Sequence, residues 1–209
     1  MYLQCAPATG WAGPPSARWW LKPAPDYDSV KGNALGRLVG RQHIDAIIGL
    51  DVLGGRDFSI DYQSKRITFE MPMGGVNSTK TTEPQVPFEG GPGFAVVHIQ
   101  IQGQVLRLMV DTGTSDLVLF APRVQGRLPG ARPAGAKTKT TMAGEERWPV
   151  LELPGARLGS IDLATPEAVL MDGQAPASVD LDGLLGVASL GVRRITFDFE
   201  HNTIRWEPR

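Results

Sequence analysis

Cysteine is almost absent from this 209-residue chain, with Cys5 the only one. An internal disulfide is therefore excluded, and so are cysteine-rich zinc sites. The three histidines, His43, His98 and His201, are scattered, and His98 shares a strand face with Gln100 and Gln102, so no metal set is visible. Neither sign of charge is in excess: 21 basic and 22 acidic side chains leave a formal charge of −1. That balance removes the electrostatic reason to expect nucleic acid as a partner. No apolar run approaches the roughly 20 residues of a membrane-spanning helix. The start, Met1-Tyr2-Leu3-Gln4-Cys5, has neither a basic n-region nor an apolar h-region. As written the chain carries no secretion signal and reads as cytoplasmic; a periplasmic or secreted location applies if it begins further upstream. No Gly-x-Ser-x-Gly elbow occurs, and Gly90-Gly91-Pro92-Gly93 is not followed by a helical pattern, so a serine nucleophile and a phosphate loop both fall away. No cofactor is expected.

What is plentiful is turn chemistry. Twenty-five glycines and 17 prolines, set in a chain that is 42% hydrophobic, favour short strands joined by turns over long helices. The expected fold class is all-β. Residues 1–42 are broken by prolines, with Arg18-Trp19-Trp20-Leu21 as the one apolar anchor. Ile44 to Leu50 is a short apolar run. Phe58–Tyr62 and Arg66–Glu70 alternate at period two around Gln63-Ser64-Lys65, which is a hairpin. Phe94–Gln102 and Val105–Val110 alternate around a turn at Gly103-Gln104. After Asp111-Thr112-Gly113-Thr114-Ser115, the run Asp116–Phe120 reads as a buried strand. Residues 121–147, rich in Pro, Gly, Lys and Arg, read as a long mobile loop. Short strands resume at Val150–Leu153, Ile161–Leu163 and Ala168–Met171, and the chain closes through Leu184-Leu185-Gly186, Ile195–Phe199 and Thr203–Trp206.

An internal repeat is the most informative pattern. At a constant offset of 137, Asp45–Glu70 aligns with Asp182–Glu207 without a gap, and eight of the 26 pairs are identical. Among them are Gly49/Gly186, Gly54/Gly191 and Asp61/Asp198, while Ile47/Leu184, Ile48/Leu185 and Phe69/Trp206 are conservative. Two unrelated amphipathic hairpins would not be expected to share their glycine positions.

Asp111 stands just after an apolar strand, in a turn of small hydroxylic residues, and a second apolar strand follows. Leu184-Leu185-Gly186 lies 73 residues further on, after Asp182-Gly183. In these features the stretch from Pro92 to Pro208 resembles the retropepsin-like aspartic proteases, whose signature is a hydrophobic strand, Asp-Thr/Ser-Gly-Ala/Ser/Thr, another hydrophobic strand and, later, two apolar residues and a Gly. The resemblance implies a closed β-barrel or sandwich unit, a peptide or protein substrate, and Asp111 as a catalytic carboxylate. Such hydrolysis needs two carboxylates sharing one proton around one water, so their pKa values belong to the pair. Gly113 lets the backbone turn tightly beside the carboxylate. The resemblance also implies that the Thr112 hydroxyl bonds across to its mate, that Thr114 bonds the outer carboxylate oxygen, and that Leu184, Leu185 and Gly186 pack under the loop. Ala134–Arg147 occupies the family's flap position; as residues alone it is equally a solvated loop, and Trp148 reads as a flap-base anchor or a core aromatic. Asp172, Asp180 and Asp182 read as solvated turn residues, with calcium binding as the alternative.

A unit of this kind supplies one catalytic aspartate, so a second unit is required. Subtracting the offset from Asp111 places the first copy's Asp-Thr-Gly at −26, before Met1, and neither Asp26 nor Asp28 is followed by Thr-Gly. The organisation expected is residues 1–75 as an incomplete N-terminal repeat, 76–91 as a linker and 92–209 as a complete domain. The second carboxylate then comes either from a preceding segment, in an intrachain pseudo-dimer, or from a homodimer mate. The expected activity is aspartic endopeptidase. The competing classes are a catalytically silent peptide-binding module on the same fold and a structural β domain whose Asp111 points into solvent.

Overall fold

The computed structural model describes residues 50–53, 56–69, 83–91, 94–141, 144–163, 166–172 and 180–209. The Trp19-Trp20 anchor, the apolar run before Leu50 and residues 76–82 of the expected linker lie outside them. The first described element is a single helical turn, α1 (Leu50–Leu53). The hairpin β1 (Phe58–Asp61) and β2 (Arg66–Phe69) follows, then β3 (Gln85–Pro87) and β4 (Glu89–Gly91) within the expected linker. The long hairpin is β5 (Phe94–Ile101) and β6 (Gln104–Asp111), followed by β7 (Leu117–Phe120) and a helical turn, α2 (Ala121–Val124). Next come β8 (Arg132–Thr141), β9 (Gly144–Glu152), β10 (Ala156–Leu158), β11 (Ile161–Asp162) and β12 (Glu167–Met171). The chain ends with β13 (Gly183–Gly186), a 3-10 turn over Val187–Leu190, β14 (Val192–Asp198) and β15 (Thr203–Pro208). The all-β expectation is met.

Two sheets form. The first has the order β2-β1-β14-β15-β3, so the N-terminal hairpin and the C-terminal hairpin are joined edge to edge through β1 and β14. Their antiparallel register is Phe58↔Phe197, Ser59↔Thr196, Ile60↔Ile195 and Asp61↔Arg194. The second sheet runs β11-β10-β5-β6-β13-β7-β12-β9-β8, with β4 added beside β5. Its two end strands do not meet, which corrects the expected closed barrel: the sheets are open, and closure depended on an edge pairing that no local pattern specifies. One apolar core spans both sheets, taking Phe58, Ile195 and Phe197 from the first and Ile99, Leu106 and Leu119 from the second.

Two local expectations change. The β5–β6 turn falls on Gln102-Gly103, one residue earlier than the spacing suggested, with φ of 49° and 84°. A two-residue turn with both central residues at positive φ matches the twist of the strands, and Gly103 adopts it without strain. Residues 121–147 are not one long loop. They hold α2 and most of a hairpin in which β8 pairs with β9 from Arg132↔Glu152 to Thr141↔Gly144. Lys137-Thr138-Lys139-Thr140-Thr141 is polar on both faces, so its composition reads as loop although alternating Thr suits a strand.

Phe197 is 1% exposed and stacks on Phe58 at a ring-centroid distance of 4.9 Å, so this pair joins the two hairpins as well as filling the core. Replacing Phe197 by Ala is expected to lower stability by about 3–5 kcal/mol, measured by urea or guanidinium unfolding at equilibrium.

Candidate active site

Strand β6 sets the direction of its last residue. Leu106 and Leu108 are fully buried in the common core, so the period-two alternation turns Met109 and Asp111 to the other face of the sheet. Strand β13 is inserted between β6 and β7, parallel to the former and antiparallel to the latter, with Gly186 beside Asp111. The Asp111–Asp116 turn therefore crosses over the end of β13. The Gly186 N–H donates to the Asp116 carbonyl at 3.0 Å. A Cβ on Gly186 would lie 2.3 Å from that oxygen and 2.7 Å from the Thr114 carbonyl oxygen. Gly183 is equally constrained, since its Cβ would lie 2.0 Å from the Val118 carbonyl oxygen. The expected roles of the three residues separate here. Gly186 packs under the turn, Leu185 is buried in the common core, and Leu184 faces the other way, between Met109 and Val118.

The Asp111 carboxylate is half-buried and accepts the Gly113 N–H on Oδ1 at 2.7 Å. Burial lifts its pKa above the ordinary carboxylate value, and the backbone N–H groups of Gly113 and Thr114 pull the other way. Thr114 thus acts on Asp111 through its backbone. The Thr112 hydroxyl is buried and has no hydrogen-bond partner among the described residues. On the same side of the sheet, Met109, Val118, Leu184 and Val169 belong to two small apolar clusters apart from the main core. Trp148 is half-buried in one of them and its indole N–H donates to Glu146 at 2.9 Å.

Asp116 closes the turn electrostatically. It is ion-paired with Lys139 of β8, accepts the Ser115 hydroxyl at 2.8 Å, and has Lys137 at 3.7 Å. Burial pushes its carboxyl up, but these donors and charges hold it below the ordinary value. Lys137 also reaches Glu167 of β12 at 2.7 Å. The β8–β9 hairpin is therefore tied to the Asp111 turn, which composition alone did not indicate.

Two further residues were not anticipated. Asp182 is 4% exposed rather than a solvated turn residue. It accepts the Arg107 N–H at 2.9 Å and Arg127 Nη1 at 2.5 Å. Its partners lie 75 and 55 positions away, so no local pattern could reveal its burial. Asp180, by contrast, is exposed and pairs with Arg123. Among the described residues no His, Cys, Asp and Glu gather as a metal-ligand group. Tyr62, immediately after β1, is the second. Burial, with the nearby charge of Asp111, pushes its phenol up to about 12, and its buried hydroxyl has no partner among the described residues. The repeat held a signal for it, because Tyr62 aligns with Phe199.

Substituting Gly186 by Ala is expected to destabilise the protein by at least about 1–3 kcal/mol, because the contacts it meets are backbone atoms that cannot swing away; chemical denaturation measures this. Asp111→Asn yields a pH-dependent effect of the opposite sign. The folded-state pKa of Asp111 is raised, so the folded protein binds its proton more tightly than the unfolded chain. Stability contributed by this group is full below the ordinary carboxylate range and falls as pH rises through the raised value. The Asn variant is therefore expected to melt higher than the parent at neutral pH, with the advantage vanishing at acid pH.

Residues 97–188 match the aspartyl protease family. A solved structure, that of a retropepsin-like aspartic protease from Rickettsia conorii, is similar at 17% identity over 60% of this chain and 91% of its own, with a TM-score of 0.42. No curated protein matches the chain. The matched segment contains both the Asp111 turn and Leu184-Leu185-Gly186.

Proposed function

We propose that this protein is an aspartic endopeptidase that hydrolyses peptide bonds with a water activated between Asp111 and a second carboxylate. The observation that carries this reading is the state of Asp111. It sits at the end of a buried strand, partly desolvated, yet oriented by backbone N–H donors. Desolvation favours retention of a proton, and the two N–H groups keep the ionised form accessible, which is what a carboxylate in a shared-proton pair requires.

In the reaction, the ionised carboxylate of the pair takes a proton from the water as its oxygen adds to the scissile carbonyl carbon. The protonated carboxyl gives its proton to the carbonyl oxygen, producing a neutral tetrahedral diol. Collapse breaks the C–N bond as a proton passes to the departing nitrogen, leaving a carboxylic acid and an amine. Gly113 and Thr114 orient Asp111 through their backbone N–H groups, and Gly186 holds the turn from below. The half-buried Met109 and Leu184, paired side by side on the Asp111 side of the sheet, suit an extended peptide with apolar side chains around the cleaved bond. No metal or cofactor takes part in this scheme.

A second reading, a silent peptide-binding module, is favoured by one observation: Asp111 is the only aspartate in the sequence followed by Thr-Gly. The two readings differ in a direct assay. Incubation with a denatured protein substrate at acidic to neutral pH is expected to give cleavage that a statine-type inhibitor blocks. Asp111→Asn or Asp111→Ala is expected to abolish it; cleavage retained by either variant excludes the aspartic mechanism. Peptide binding without cleavage by the parent protein establishes the module.

A further inference from the structure

Among the described residues Asp182 is the one charged residue that is buried, with 4% of its surface exposed, and the reaction proposed above gives it no part. Its bonds reach both strands between which β13 is inserted. The Asp182 N–H donates to the Arg107 carbonyl at 2.8 Å, and the Arg107 N–H donates back to Asp182 Oδ2 at 2.9 Å. The Asp182 carbonyl accepts the Phe120 N–H of β7 at 2.9 Å. The other carboxylate oxygen, Oδ1, accepts Arg127 Nη1 at 2.5 Å. The same guanidinium donates to the Val105 carbonyl of β6 at 2.9 Å and to the Arg123 carbonyl of α2 at 3.1 Å. One ion pair therefore ties together β6, the chain that continues from β7 through α2, and the start of β13.

The neighbouring charges leave Arg127 as the cation of Asp182. Arg107 turns its guanidinium away, to Glu89 at 2.6 Å and the Asp180 carbonyl at 2.7 Å. Arg123 pairs with Asp180, and its Nε stands 3.9 Å from Asp182. The helical turn α2 follows directly on β7 and delivers Arg127, whose N–H donates to the Val124 carbonyl at 3.0 Å.

The insertion has a weakness that such a pair answers. In β13 only Leu184 and Leu185 carry side chains, and the two glycines let the strand in without attracting it. A slip of one residue would carry Leu184 or Asp182 into the place of Gly183, where a Cβ lies 2.0 Å from the Val118 carbonyl oxygen. It would also turn every β13 side chain to the opposite face. The glycines thus forbid the wrong registers without holding the right one. A buried ion pair has the complementary property: after desolvation it adds little net stability, yet it is satisfied in one geometry only. At the far end of the same strand, Gly186 lies beside Asp111 and donates to the Asp116 carbonyl at 3.0 Å.

We propose that Asp182, held by Arg127, is a positioning residue for the reaction: the pair locks the register of β13 and, through Gly186, fixes the Asp111 turn above it. The catalytic meaning of this lock rests on the proposed function; the lock itself rests on the strand geometry.

Asp182→Asn separates the lock from folding. Asparagine keeps an oxygen for the Arg107 N–H, and the Arg127 side chain, 35% exposed, can turn to water, so no buried charge is stranded. The variant is expected to unfold at nearly the same denaturant concentration as the parent. Amide hydrogen exchange of Gly186 and Gly113 in the folded protein is nevertheless expected to quicken by at least about tenfold, because these N–H groups bind the Asp116 carbonyl and Asp111 Oδ1. For peptide cleavage, kcat is expected to fall by about 10- to 100-fold. KM is expected to change by less than about twofold, the pattern of a displaced reacting group and not of lost substrate binding. Arg127→Lys keeps the charge but gives up the fork that holds Asp182 and the Val105 carbonyl together, so it is expected to show the same changes in smaller degree. Unchanged exchange of Gly186 and Gly113 in folded Asp182→Asn protein overturns the proposal, and so does an unchanged kcat. If Asp182→Asn does not fold, Arg127→Lys decides by the same two amides. If the parent protein cleaves nothing, the exchange result alone decides the lock, so the lock and the proposed function fail separately.

Discussion

A backbone-to-backbone approach at two glycines governs the rest of the molecule. Strand β13 fits between β6 and β7 only because Gly183 and Gly186 have no Cβ; at either position one would meet a carbonyl oxygen at 2.0–2.3 Å. That insertion brings the end of β6 against the end of β13, directs the Asp111–Asp116 turn over Gly186, and leaves Leu185 in the core and Leu184 beside Met109. The acid of the site is thus positioned by a steric allowance several strands of sequence away. Asp182 secures the entry to the same strand, since its buried carboxylate is held by the Arg107 N–H and the Arg127 guanidinium. Removing one partner from such a pair leaves an uncompensated buried charge, so Arg107, Arg127 and Asp182 are held together as a set.

What was legible in the sequence follows from how local each constraint is. The Asp-Thr-Gly turn and the later Leu-Leu-Gly could be read because each needs particular residue types at particular places: a carboxylate, a residue without Cβ, apolar side chains on alternate faces. Period-two alternation likewise revealed the β1–β2, β5–β6 and β14–β15 hairpins. The β8–β9 hairpin was missed because Lys137-Thr138-Lys139-Thr140 is polar throughout, and its order depends on Asp116 and Glu167, which meet it only after folding. Asp182 was misread for the same reason, as burial was conferred by residues remote in sequence. The open sheets were also beyond reach, since whether edge strands meet is a property of the whole chain rather than of any segment.

Electrostatics at the site divides between two carboxylates five positions apart. Asp111 is lifted by burial against the pull of backbone N–H groups, while Asp116 is held down chiefly by Lys139 of β8. Pushing apart the pKa values of neighbouring acids in this way lets one stay available for proton chemistry while the other remains a fixed anion. The fixed anion anchors the β8–β9 hairpin beside the turn.

The pairing of β1 with β14 also has a consequence for biosynthesis. Nearly the whole described chain separates Phe58 from its partner Phe197. Contacts of such long range form slowly, because a large loop must be closed before they contribute. During translation the β1–β2 hairpin waits with an open edge and an exposed aromatic face until β14 and β15 emerge. The seam is therefore completed only once β14 has been made, and until then that edge needs protection from premature association.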